Sequence, residues 1–393
     1  MYNFRLLGLA FIIAFAYIAA TLPFFAAEPL LDECSFITTG QTLLSMYVHE
    51  FIKNHDYSNP LWRENFGNSG SPHPKVAFYL IASFTEAAKF FKINPRWFMA
   101  LLAAGCVVLM MNLVQTNQGG GTISNRWVVI GAGCLLLINP IFRMLQVVLY
   151  AEIPQLLFAL AALVALVRFD AALRNGQFRW FLLIGFGLFA GFSISCKLYS
   201  VILFFTFILY SLTMIKHFGK RWLPANLLVG VMGWAVFIFT NPLLVQDFWF
   251  GIGEMSIRHL EYDAGTPTSF NWSGIYYFFF YPFLVYSPKF YNYVSSVIFP
   301  YFSLVEFPFA VVGYLLAVVG IVNVVVTRNW LPLLFAFCCF MFMGYIQLTM
   351  PVGAKVPRNL LFPAVSLIWL YAQFDWRRLI RFVRRRGFSS APK

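Results

Sequence analysis

Two adjacent carboxylates, Asp32 and Glu33, stand at the start of the first large polar segment, directly after the first long apolar run. Carboxylates at such a boundary can take a proton from a reacting hydroxyl or help to hold a divalent cation. Because acidic residues are scarce in this apolar chain, the pair is the first candidate for chemistry. The alternative is that both residues only solvate the start of a loop.

Four basic residues are the next candidates, because each falls near the end of an apolar run: Lys75, Arg143, Lys197 and Arg358. Arg143 lies deepest, where a charge is costly unless it is paired or faces a polar cavity. Lys197 and Arg358 could instead be anchors whose aliphatic stems lie in lipid while their charged ends reach the head groups. Glu152 stands at a predicted helix start, where it could simply be a favourable charge on the helix dipole.

The composition places these residues in a membrane protein. Of the 393 residues, 60% are hydrophobic and 11% are charged, whereas a soluble domain carries roughly a quarter charged residues. Apolar runs long enough to cross the hydrocarbon core recur from end to end, and no stretch could form a separate soluble domain. We therefore predict an all-α polytopic integral membrane protein that forms a single domain over residues 1–393.

The net charge of +13 does not indicate a nucleic-acid partner, because the excess is concentrated in the tail 375–393, after the last apolar run. A basic segment in that position marks the cytoplasmic side and predicts contact with anionic lipids. The six cysteines lie mostly within apolar runs and show no metal-ligand spacing, so a disulfide framework is not predicted.

Ten apolar runs, oriented by the positive-inside rule, place both termini on the cytoplasmic side. The predicted spans cover residues 6–25, 97–114, 127–147, 155–169, 180–195, 198–215, 223–245, 303–326, 331–350 and 360–374. The first is interpreted as an uncleaved anchor, followed by an outer loop over 28–75 with a helix in the interface plane over 38–53. The short apolar helix 76–91, interrupted by Glu86 and Lys89, is predicted to dip into the outer leaflet without crossing.

The acidic residues test this orientation independently, because the positive-inside rule counts only Lys and Arg. Of the 15 acidic residues, only Asp170 and Asp375 fall on the predicted cytoplasmic side. A second large outer segment, 246–301, carries many of the others. The distribution predicts that the chemistry faces outward.

Several motifs, taken in order, resemble those of the GT-C superfamily of membrane glycosyltransferases, which includes protein O-mannosyltransferases and lipid A aminoarabinose transferase. Asp32-Glu33 is similar to the Asp-Glu pair that opens the first outer loop of those enzymes. Four later segments resemble further motifs of the superfamily: SPHPKVAFYL at 71–80, NPIFRMLQVVLYAEIP at 139–154, GFSISCKLY at 191–199 and PRNLLFP at 357–363. The chain departs from the pattern at Lys75, Glu152 and Asn359, where the superfamily usually has Pro, Asp and Tyr.

The resemblance implies a GT-C-like fold with about ten transmembrane helices and juxtamembrane helices in the first outer loop. It also implies transfer of a sugar, hexose or pentose, from a polyprenyl-phosphate donor to a glycan, lipid or protein acceptor. Direct displacement by the acceptor would invert the anomeric centre.

The resemblance also implies roles for individual residues. The expected catalytic residues are Asp32, as the base, and Glu33. The expected donor-phosphate ligands are Lys75, Arg143, Lys197 and Arg358, and the expected acceptor or sugar contacts are His73, Tyr150 and Glu152. Whether a divalent metal assists stays open, because Asp32, Glu33 and Glu152 could hold one if they converge.

Two other classes compete with this interpretation. A secondary transporter or lipid flippase would have a similar number of spans, but it would be expected to show inverted repeats and sites near the midplane. A non-catalytic scaffold would leave Asp32, Glu152, Lys197 and Arg358 individually replaceable. The compact chain and its arginine-rich tail favour a bacterial inner membrane, although an endoplasmic reticulum membrane would present the same sidedness.

Overall fold

Helices are the only regular structure in the part of the chain that the structure describes. The computed structural model describes residues 4–20, 22, 31–46, 75–117, 123–241, 244–245, 248–249, 315–325, 329–349 and 361–373. For residues 31–36 it describes the backbone alone. Most of the predicted outer segment 246–301 and all of the tail 375–393 lie outside these residues.

The helices are numbered here in chain order. The first are α1 (Phe4–Ala19), α2 (Leu31–Met46), α3 (Val76–Phe91), α4 (Arg96–Asn117), α5 (Ile123–Ile138), α6 (Pro140–Leu145) and α7 (Glu152–Arg174). They are followed by α8 (Trp180–Cys196), α9 (Ile202–Thr213), α10 (Ile215–Phe218), α11 (Trp222–Phe239), α12 (Leu315–Val325), α13 (Leu331–Thr349) and α14 (Leu361–Tyr371). Short 3₁₀ turns lead into α9 and α11.

Within the described residues, three stretches of helix are long and apolar enough to cross a bilayer: Arg96–Asn117, Glu152–Arg174 and Ile215–Phe239. Shorter apolar helices accompany them in the described residues. Large apolar side chains are exposed on α1, α8, α9 and α11, among them Ile12, Phe181, Phe205 and Leu227. Because such faces suit lipid rather than water, the chain is an all-helical membrane protein. The total of ten spans stays a prediction.

The predicted span 127–147 is wrong as a single helix. α5 ends at Ile138, and Asn139 and Pro140 then begin the short helix α6. Proline suits the first position of a helix, where its missing N–H costs no hydrogen bond. Asn139 caps α6, because its Oδ1 accepts the Phe142 N–H at 3.1 Å. The apolar run therefore contains two helices with a break between them.

The helix expected over 38–53 begins earlier in the chain. α2 covers Leu31–Met46, so Asp32 and Glu33 fall in the first turn of a helix rather than in the coil before it. Acidic residues are favourable there, because the helix dipole is positive at that end. α2 packs directly on α3 at Gly40, where a Cβ would lie 2.7 Å from the Phe78 carbonyl oxygen.

α7 lies at the centre of the bundle, where it packs against α4 and α8 and also contacts α9 and α14. α8 packs in turn against α11. Glycine allows this second contact, because a Cβ on Gly191 would lie 2.8 Å from the Gly233 carbonyl oxygen. Close backbone approach of this kind is common between membrane helices.

Side-chain contacts show which helix ends meet. At one end of the bundle, called the site end below, Glu152 at the start of α7 meets Lys197 just after α8. Thr240, just after α11, donates there to Ser195 near the end of α8. At the other end, called the basic end, Tyr210 near the end of α9 donates to Asp170 near the end of α7. Helices α7, α8, α9 and α11 therefore alternate in direction.

Candidate active site

A buried ion pair lies at the centre of the site end. The Lys197 ammonium is 2.8 Å from Oε1 of Glu152, and the two side chains are only 6% and 4% exposed. Glu152 is the first residue of α7, so its carboxylate also lies on the positive end of that helix. Loss of one partner from such a pair costs roughly 3–5 kcal/mol, because the other charge stays buried. The pair therefore fixes the start of α7 to the end of α8.

A chain of hydrogen-bonded neutral groups holds the segment that carries Lys197. Gln155, one turn into α7, donates to Ser200 Oγ at 2.9 Å and to the Lys197 carbonyl oxygen at 3.4 Å. Ser193 donates to the Gln155 carbonyl oxygen at 2.9 Å and lies 2.6 Å from Ser200 Oγ. These contacts hold the short connection between α8 and α9, from which Lys197 extends, in one position relative to α7.

The connection from α6 to α7 is buried along its whole length. Residues 146–151 are irregular in backbone but buried, and they include Gln146 and Tyr150. Arg143 lies in α6, just before them, and is 6% exposed. Irregular backbone at membrane depth is tolerated only where protein or a polar cavity surrounds it. This irregular segment is therefore enclosed by the surrounding protein.

Lys75 reaches the site end from a distant part of the chain. Its backbone N–H donates to Asn241 Oδ1 at 3.1 Å, which joins the start of α3 to the end of α11. Asn241 is held in turn by its own donation to the Phe237 carbonyl oxygen at 2.6 Å. The Lys75 side chain is 1% exposed, and its ammonium lies 4.9 Å from the Phe78 ring centroid. Burial lowers the pKa of Lys75 to about 7.

The structure thus brings three of the predicted residues, Lys75, Glu152 and Lys197, to a single end of the bundle. Tyr150 lies in the buried connection that leads into Glu152, with Arg143 just before it. All five are buried, so simple anchoring of Lys197 in the head groups is excluded, because a snorkelling side chain keeps its charged end in water. Glu152 does stand on a helix start, but its ion pair gives it a second role.

Four predicted residues cannot be placed in this way. His73 and Arg358 lie outside the described residues, and the side chains of Asp32 and Glu33 do too. The backbone of the carboxylate pair opens α2, which packs on the helix that begins directly after Lys75. Their participation in the site therefore stays a prediction.

Neutral residues of the site were not anticipated from the sequence: Gln146, Gln155, Ser193, Ser200 and Asn241. An isolated amide in an apolar run was the one available signal, and it applies to Gln146, Gln155 and Asn241. The serines gave no signal, because small hydroxyl residues are common throughout membrane helices.

A metal site is not found among the residues that the structure describes, where no three His, Cys, Asp or Glu side chains converge. One oxygen of Glu152 accepts from Lys197. The side chains of Asp32 and Glu33, the other possible metal ligands named from the sequence, lie outside the described residues. A metal held by these carboxylates therefore stays an open alternative.

The family comparison bears on this arrangement. A family model described as dolichyl-phosphate-mannose-protein mannosyltransferase matches residues 41–261, more than half of the 393 residues. The match includes Lys75, Arg143, Glu152 and Lys197, and thus every charged residue placed above at the site end. Comparison with curated proteins found no match.

Proposed function

The chain belongs to the dolichyl-phosphate-mannose-protein mannosyltransferase family and is a membrane glycosyltransferase with a polyprenyl-phosphate sugar donor, and we propose that it inverts the sugar's anomeric centre. The proposed acceptor is a hydroxyl presented on the extracytoplasmic side. A bacterial inner membrane is the proposed location, with both termini in the cytoplasm. Membership of this family favours transfer over the alternative of lipid or sugar transport.

The observation that carries the proposal is the burial of charged groups at the site end. Lys75, Arg143 and Lys197 are basic residues buried together near this end, where burial of a charge is costly. A lipid phosphate supplies suitable negative charge, and cations preorganised in a dry site stabilise a departing phosphate strongly. We assign these three residues, with Arg358, to the donor phosphate.

The proposed reaction is a single displacement. The acceptor oxygen attacks the anomeric carbon and forms the new glycosidic bond, while its proton passes to the carboxylate of Asp32. The bond between the anomeric carbon and the phosphate oxygen breaks, and the polyprenyl phosphate leaves with that electron pair. Glu33 is assigned to support Asp32. No redox partner is required.

Glu152 and Tyr150 are assigned, with His73, to the sugar or the acceptor. The ammonium of Lys197 holds one oxygen of Glu152 at 2.8 Å, so the carboxylate is kept in one orientation while it contacts a sugar hydroxyl. Lys197 thereby links the two halves of the proposed site, since it is also assigned to the phosphate.

The proposal is tested with the purified full-length chain in nanodiscs, supplied with radiolabelled polyprenyl-phosphate mannose and candidate hydroxyl acceptors. We expect transfer by the parent, a product of opposite anomeric configuration to the donor, and a loss of at least about 100-fold in Asp32→Asn, because general-base catalysis contributes that much. A product that retains the donor configuration would contradict the single displacement. Equal transfer by Asp32→Asn would move the base to another residue.

A further inference from the structure

The basic end of the bundle carries a charged surface that sugar transfer does not use. Two connectors form it, one between α7 and α8 and the other between α9 and α11. The last turns of α7 and these connectors, residues 168–179 and 215–221, carry one acidic residue, Asp170, against six basic ones: Arg168, Arg174, Arg179, Lys216, Lys220 and Arg221. The positive-inside rule predicts that this end is cytoplasmic.

An aromatic cluster holds the two connectors together. The Phe178 ring centroid lies 5.7 Å from that of Phe218 and 5.2 Å from that of Phe169. The Arg221 guanidinium lies over the Phe178 ring, 5.1 Å from its centroid. Because Phe178 belongs to one connector and Phe218 to the other, the basic residues of both form a single surface.

The acidic residue of this region is already engaged inside the protein. Asp170 accepts from Arg174 Nε at 2.8 Å and from the Tyr210 hydroxyl at 2.9 Å. Arg179, Lys216 and Lys220 are exposed, and none of the three forms an ion pair within the described residues. The surface therefore has an excess of positive charge available to an external anion.

Exposed apolar side chains begin directly beside these charges. Trp180 and Phe181 open α8, and Leu223 and Leu227 lie in the first turns of α11, which packs alongside α8. A ligand that matches both parts must combine a negative head group with hydrocarbon chains. A free anion would match the charges alone.

We propose that the basic end binds an anionic glycerophospholipid, with its phosphate against Arg179, Lys216 and Lys220 and its acyl chains along α8 and α11. This site is distinct from the lipid contacts predicted for the tail 375–393. It does not depend on the proposed sugar transfer, so the two can fail separately.

The test measures binding of phosphatidylglycerol to the full-length chain in detergent by native mass spectrometry. One variant combines Arg179→Gln, Lys216→Gln and Lys220→Gln. The matched control removes the same charge from the tail by Arg384→Gln, Arg385→Gln and Arg386→Gln. Each basic residue near an anionic surface contributes roughly fivefold in affinity, so the first variant should bind on the order of 100-fold more weakly. The tail variant should keep its most tightly bound phosphatidylglycerol at parental affinity, because the contacts predicted for the tail are a separate site. Neither the parent nor the tail variant should bind phosphatidylcholine comparably.

Several results would overturn the proposal. They are an affinity within about threefold of the parent in the first variant, an equal loss in the tail variant, and displacement of the lipid by inorganic phosphate. If the triple variant does not fold, the single variant Lys220→Gln is measured instead, for which a roughly fivefold loss is expected and an unchanged affinity would contradict the site.

Discussion

Lys75 illustrates how a single residue can combine structural and chemical roles at this site. Its backbone joins α3 to α11 through Asn241, and its side chain is almost entirely removed from solvent. Burial disfavours the charged ammonium and lowers the pKa of Lys75 to about 7. A donor phosphate beside it would favour the charged form again, so donor binding and protonation of Lys75 should be linked.

The pH dependence of donor binding follows from that linkage. Below about pH 7 Lys75 is already protonated before the donor binds, whereas above that pH donor binding must be accompanied by uptake of a proton by Lys75. We expect the KM for the donor to rise by up to about tenfold per pH unit above pH 7. Lys75→Arg should remove this rise, because arginine stays charged throughout the range. The same pH slope in both proteins, measured from initial rates, would show that Lys75 is not the titrating group.

The stability of the fold responds to the same group with a defined sign. The pKa of Lys75 in the folded chain lies below its unfolded value of 10.5, so the unfolded state binds more protons between about pH 7 and that value. Lys75 therefore makes the free energy of unfolding increase as pH rises through that interval.

At the scale of elements, the connection between α8 and α9 decides where Lys197 stands. Gln155, Ser193 and Ser200 join this connection to α7 by hydrogen bonds between different helices. A bond between elements positions them, whereas a bond within one helix turn does not. The two kinds can be compared at buried serines of this chain.

Ser200→Ala should therefore affect catalysis more than a matched change elsewhere. Ser366 is as buried as Ser200, but it donates to the Pro363 carbonyl oxygen of its own helix. Ser366→Ala should lose about 1 kcal/mol of stability, since it loses a single hydrogen bond. Ser200→Ala should lose about twice that, since it loses its bonds to Gln155 and Ser193. We expect kcat to fall at least about tenfold in Ser200→Ala alone, because misplaced groups slow the reaction. Equal kcat values in the two variants would mean that the network is merely structural.

Sequence reasoning selected the charged residues that the structure brings to the site end, whose roles stay predictions, but it did not select the neutral residues that hydrogen-bond around them. Lys75, Glu152 and Lys197 could be selected because a charge near an apolar run is costly and so carries information. Gln155 and Ser200 could not, since their importance arises from contacts between helices that no local pattern reveals. Asn139-Pro140 indicates the helix break after Ile138, but the run is apolar on both sides of it and was therefore predicted as one span.

The orientation of the whole molecule can be tested at its two ends. Lys92, between α3 and α4, is predicted to face outward, and Asn175, after α7, is predicted to face the cytoplasm. Both are exposed. In a chain without its native cysteines, a membrane-impermeant maleimide on intact cells should label Lys92→Cys but not Asn175→Cys. Permeabilised cells should show labelling of both, and the reverse pattern on intact cells would invert the topology.

Helix α7 offers a matched test of whether the site end performs sugar transfer. Glu152 and Asp170 are buried carboxylates near opposite ends of this helix, and each is paired with a cation at 2.8 Å. We would measure mannose transfer from polyprenyl-phosphate mannose by Glu152→Gln and Asp170→Asn, with the folding of both verified by thermal unfolding. We expect a loss of at least about 100-fold for Glu152→Gln and near-parent activity for Asp170→Asn. Equal activity of the two folded variants would contradict that expectation.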